Sequence, residues 1–95
     1  MKNWNMYFIV EKWEWQMNVN EEIEIYLKQI NDLGFSKILN LNSKQTAGIL
    51  GVSASSIETW RKQGIGIDYI EIGSRILYPK LQIARFMANR KVQTA

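Results

Sequence analysis

Cysteine and histidine are both absent from the 95-residue chain. That removes thiol nucleophiles, disulfides, imidazole bases and the two commonest zinc ligands together, so most enzyme chemistries are disfavoured and no metal or other cofactor is expected. Long apolar runs are also missing. The stretch at residues 6–10 is cut short by Glu11, Lys12 and Glu14 before it reaches the length of a signal-peptide core. Nothing approaches the roughly 20 apolar residues of a membrane span, and the expectation is a soluble, cytoplasmic protein. What is present is an ordinary globular balance, 46% hydrophobic and 22% charged residues. A chain of this size has room for one small core and buries only about 60 to 65% of its unfolded surface.

Charge is divided unevenly along the chain. Residues 41–95 carry eight bases against three acids, a net +5, whereas residues 1–40 carry four bases against six acids, a net −2. This asymmetry suggests a basic half that meets a polyanion, although an ordinary solvated surface would show the same counts.

The first 18 residues alternate apolar and polar positions, with Trp4, Met6, Phe8 and Val10 followed by Trp13, Trp15 and Met17. Period two argues for strands, but Glu11-Lys12 is a poor hairpin turn, and a short helix competes. Asn20 before Glu21-Glu22 predicts a capped helix over about 21–33. Ile23, Tyr26, Leu27, Ile30 and Leu33 lie on its apolar face, and Gly34 follows as its stop. That face reads either as a homodimer seam, together with Trp4, Phe8, Trp13 and Trp15, or as packing within its own domain.

Between residues 41 and 64 the sequence reads LNSKQTAGILGVSASSIETWRKQG. Asn42 with Gln45 forms a capping box, and Thr46, Ala47, Ile49 and Leu50 supply a buried face. Gly48 in mid-helix costs about 1 kcal/mol against alanine and points to a close neighbour. Gly51 suits a left-handed exit, Val52 is expected to plug the turn, and Ser53 caps a second helix over residues 54–63 that turns Ile57 and Trp60 inward. The connection is too short for antiparallel packing, so the helices must cross steeply, as in a helix-turn-helix. The outer faces of the second helix hold Ser55, Ser56, Glu58, Thr59, Lys62 and Gln63. These groups suit base edges and phosphates, and they would equally suit plain solvent.

Further on, Gly73-Ser74 separates two β-rich runs and predicts a hairpin over residues 69–78. Its register sets Ile72 opposite Arg75 and Ile70 opposite Leu77, with Arg75 at the tip. Pro79 then opens a last helix with Ile83, Phe86 and Met87 at helical spacing, and residues 90–95 are expected to fray.

Ala47, Gly51 and Ile57 have the spacing of the spine of DNA-binding helix-turn-helix units. With the linker, hairpin and final helix, the order over residues 41–89 resembles the excisionase and MerR-like winged helix-turn-helix family. The segments LGVSASSIETWRKQGIG and YIEIGSRILYPK carry the likeness. The resemblance implies a mainly α fold with a small β-hairpin wing, preceded by an N-terminal extension over residues 1–40. It also implies a double-stranded DNA binder acting as a phage or mobile-element transcriptional regulator or excision factor, with a recombinase or RNA polymerase as further partner. Carried over onto this chain, the DNA-contacting residues are Lys44, Ser53, Ser55, Ser56, Thr59, Arg61, Lys62, Gln63, Ser74 and Arg75. About 4 to 5 phosphate contacts, with Arg85 among the candidates, would give a log-log salt slope near −4. Two other classes stay open: an adaptor that engages a protein through the aromatic N-terminus, and an enzyme. The enzyme has little to work with, because Glu22 and Glu24 point to different sides of a helix and Ser55 has no base nearby.

Overall fold

The computed structural model describes residues 18–90. They form a mainly helical fold with a small three-stranded antiparallel sheet. Helix α1 spans Val19–Ile30 and continues into a π-helical turn over Asn31–Phe35. Strand β1 (Asn40–Leu41), helix α2 (Ser43–Leu50), helix α3 (Ala54–Lys62), strands β2 (Ile70–Ile72) and β3 (Arg75–Pro79), and helix α4 (Lys80–Asn89) follow. The expected strands or helix at residues 1–18, apart from Asn18, and most of the expected frayed tail lie outside the described residues.

Helix α1 begins two residues earlier than its acids suggest, and Asn18 rather than Asn20 is the cap. The Asn18 side chain accepts from the Glu21 N–H at 2.8 Å, and the Glu21 carboxylate accepts from the Asn18 N–H at 3.2 Å. Asn20 has Ile23 three residues on and could not be answered in that way, so the reciprocal box selects Asn18. At the other end the wider π-helical turn rotates the chain away from the α-helical stripe. Leu33, expected on the buried face, is 64% exposed, and Phe35 packs on the core in its place. Gly34 ends the turn at φ +107°, a conformation that favours glycine.

Helices α2 and α3 form as the caps dictate. Asn42 and Gln45 exchange bonds of 2.8 and 3.0 Å, Gly51 leaves α2 at φ +77°, and the Ser53 hydroxyl accepts from the Ser56 N–H at 3.1 Å. Thr46, Ala47 and Ile57 are buried, while Ile49, Leu50 and Trp60 pack partly against the core. Val52 does not plug the turn; it sits on the surface, because Gly51 has already carried the chain out of the helix.

Strands β2 and β3 pair in the expected register, Ile70 with Leu77 and Ile72 with Arg75. The face that packs inward is that of Tyr78, which is buried, and Ile76, which lies against the core, so Ile70 and Ile72 are left exposed. The sequence reading missed β1, which adds Asn40 and Leu41 beside Pro79 and Tyr78 and makes β3 the central strand. Two residues are too few for period two to register.

Described residues from both sides of position 40 share one core. Ile23 and Ile30 of α1 join Leu41, Ala47, Ile57, Ile67, Tyr78, Ile83, Ala84 and Ala88 in one core, with α1 lying along α4. Beneath them Lys80 is buried, its Nζ donating to Asn31 Oδ1 at 2.5 Å and to the Phe35 carbonyl at 2.9 Å. One of the eight bases of the basic half therefore braces the π-helical turn.

Two glycines predict opposite outcomes on substitution. Gly48 has no close neighbour, contrary to expectation, since a Cβ there would meet nothing within 4 Å among the described residues. At Gly66, φ is +95° and a Cβ would lie 3.0 Å from the Trp60 Cβ. Thermal melts should show Gly48→Ala stabilised by about 1 kcal/mol and Gly66→Ala destabilised by about 1 to 3 kcal/mol; equal effects would contradict the backbone described.

Candidate nucleic-acid interface

Burial of Ile57 on one side of α3 turns Ser55, Thr59, Lys62 and Gln63 to the surface, as positions four, seven and eight apart must on a 3.6-residue period. The side chains of Thr59, Lys62 and Gln63 make no hydrogen bond or salt bridge among the described residues. Ser53 is occupied as the cap, and its hydroxyl also lies 3.1 and 2.9 Å from those of Ser55 and Ser56. Ser56 is half-buried.

An open groove beside α3 has Asn42, Ser43 and Lys44 on one bank and Ser74, Arg75, Ile76 and Leu77 on the other, with Glu58 and Arg61 also lining it. Lys44, Ser74 and Arg75 are exposed. Four of the residues read from the sequence as DNA contacts, Lys44, Arg61, Ser74 and Arg75, spread over some 30 positions of the chain, thus line one groove. Arg85 lies elsewhere, on α4 beside the loop of Gly66, Ile67 and Asp68.

Arg61 is not the free cation that the sequence implied. One of its terminal nitrogens donates to Glu58 Oε1 at 2.6 Å, and its guanidinium stands 5.9 Å from the centre of the Tyr69 ring. Its side chain is 20% exposed, and its Nε is buried without a hydrogen-bond partner among the described residues. The second Glu58 oxygen accepts from the Ser43 hydroxyl at 2.5 Å. These bonds, from Ser43 first and Arg61 second, hold the Glu58 carboxyl below its ordinary range, so it is ionised at neutral pH with its charge answered. Tyr69 in turn meets Tyr78 at 6.1 Å between ring centres. Burial raises the Tyr78 hydroxyl above its ordinary value; that group is within electrostatic reach of Ser43 and Arg61 but meets neither in hydrogen-bonding geometry.

Ser43 and Tyr69 therefore belong to the site although the sequence reading gave them no such place, and Glu58, read there as one of the outward groups, is instead the partner of Ser43 and Arg61. The Glu58 to Arg61 spacing of three on a helix was a usable signal. The pairing of Ser43 with Glu58, 15 residues away, had none.

The residues assigned to a homodimer seam are placed differently. Trp4, Phe8, Trp13 and Trp15 lie outside the described residues. Ile23 and Ile30 are buried in the domain's own core, with Tyr26 and Leu27 packed against it. Helix α1 lies along α4, so Ile23 and Ile30 are engaged within their own domain.

Comparison with known proteins found no matching family model, curated protein or solved structure. No described helix is long and apolar enough to cross a membrane.

Proposed function

We propose that the protein binds double-stranded DNA sequence-specifically as a winged helix-turn-helix, with α3 in the major groove and the β2–β3 hairpin as the wing. The observation that carries this reading is the outer face of α3. Among the described residues the side chains of Thr59, Lys62 and Gln63 serve no internal bond, and they stand beside a groove whose two banks hold Lys44 and Arg75. Glu58, the one acid among the described residues that line that groove, is answered by Arg61 and Ser43. Hydroxyl, amide and ammonium groups offered together suit base edges, while the flanking cations suit phosphates. The process served is control of transcription or excision of a mobile element, with RNA polymerase or a recombinase as the further partner.

With Arg61 occupied, Arg85 on another side and Lys62 turned to the base edges, Lys44 and Arg75 are the phosphate-binding cations. Two contacts predict a log-log salt slope near −2 rather than the −4 expected from the sequence. Anisotropy titrations of a labelled duplex over a range of salt concentrations measure it, after enrichment of bound sites from a random duplex pool. The reading fails if no duplex is retained at low salt, or if affinity does not fall as salt rises. An adaptor without DNA binding predicts that outcome.

A further inference from the structure

The brace of Ser43, Glu58, Arg61 and Tyr69 joins three separate pieces of the proposed interface. Ser43 is the first residue of α2, Glu58 and Arg61 lie on α3, and Tyr69 immediately precedes β2. Glu58 is the only one of the four that meets two of the others through hydrogen bonds, one per oxygen, at 2.5 and 2.6 Å. Arg61 is directed by that carboxylate across α3 towards the Tyr69 ring. The arrangement has a cost for binding, since it takes a guanidinium that lines the groove and engages it with an internal partner.

We propose that Glu58 is a specificity-determining positioning residue that withholds Arg61 from DNA and uses it to fix the hairpin relative to the reading helix. The inference rests on the DNA-binding reading above. A wing held at one distance from α3 can meet the backbone only where the bases under α3 are in register, so the two contacts reinforce each other at the correct site alone. Without the brace the hairpin can settle on many registers, and Arg61 becomes one more cation for any phosphate. Discrimination falls while general affinity rises.

That pair of opposite signs separates the proposal from simple damage to the fold, which would lower both quantities. Glu58→Gln is close to isosteric and replaces the carboxylate at a partly exposed position. In salt titrations it should bind unrelated duplexes several-fold more tightly, with a slope steeper by about one unit as Arg61 reaches a phosphate. Its preference for the selected site over unrelated duplex should fall about tenfold. Arg61→Ala supplies an independent arm. It should reduce the same preference while leaving the salt slope unchanged, and added to Glu58→Gln it should abolish the extra unit of slope. The proposal is overturned if Glu58→Gln weakens all duplexes equally or leaves the preference intact. It is also overturned if Arg61→Ala alone makes the slope shallower by about one unit, because Arg61 would then already be a phosphate contact. Failure of the unaltered protein to bind any duplex would overturn the DNA-binding reading itself, and this inference with it.

Discussion

Replacing Lys80 with methionine should lower the unfolding free energy by about 2 to 3 kcal/mol, without any change at the proposed DNA-contacting surface. Methionine preserves the unbranched stem, so the packing of a buried side chain is largely kept. What is lost are two hydrogen bonds from an ammonium group, to Asn31 Oδ1 and the Phe35 carbonyl, each in the range of about 1.5 to 3 kcal/mol for a charged donor. Relief of the cost of burying the cation offsets part of the loss. The Phe35 carbonyl also keeps a second donor, the Ile38 N–H at 3.2 Å, which is why the net figure lies below the sum. A chain of 95 residues is held by roughly 5 to 14 kcal/mol in total, and at about 4 to 8 °C per kcal/mol the melting temperature should drop by about 8 to 24 °C. Hydrogen exchange adds a local signature, with amides of the π-helical turn losing protection before those of α2 and α3. A melt within about two degrees of the unaltered protein would show that the buried ammonium does not hold that turn.

The basis of this prediction also shows where sequence reading stops. Caps and turns at residues 42–64 were legible because each of their signals is local: Asn42 with Gln45, Gly51, and Ser53 act within four residues, and the structure forms them in place. The hairpin register was legible for the same reason, with Gly73 at φ +62° between the paired runs. Lys80 was counted as a surface base because its partners are 45 and 49 residues away, and nothing in residues 79–81 announces them. The inward face of the hairpin was hidden too. Ile70, Ile72 and Leu77 are as apolar as Ile76 and Tyr78, and only the packing of α2 and α4 against β3 decides between the two faces. Arg61 fell between these cases, since its pairing with Glu58 is local while the contact with Tyr69 that completes the brace depends on how the linker folds back.

Thr59→Ala combined with Lys62→Ala should weaken binding to the selected site by about 2 to 4 kcal/mol and change which sequences are preferred. Arg75→Ala should weaken every duplex alike, by about tenfold, and make the salt slope shallower by about one unit. The contrast follows from placement. Thr59 and Lys62 are exposed on the outer face of α3, three residues apart and without internal side-chain bonds among the described residues, where a helix entering the major groove presents its readers of base edges. Arg75 stands at the end of a two-residue turn on a ribbon, opposite Ile72. From there it reaches backbone or minor groove, whose pattern is too degenerate to define a long consensus. Repeating the random-pool enrichment with each variant separates the two effects. A consensus that shifts with Arg75→Ala and survives loss of Thr59 and Lys62 would mean that the hairpin reads the sequence while α3 only anchors it.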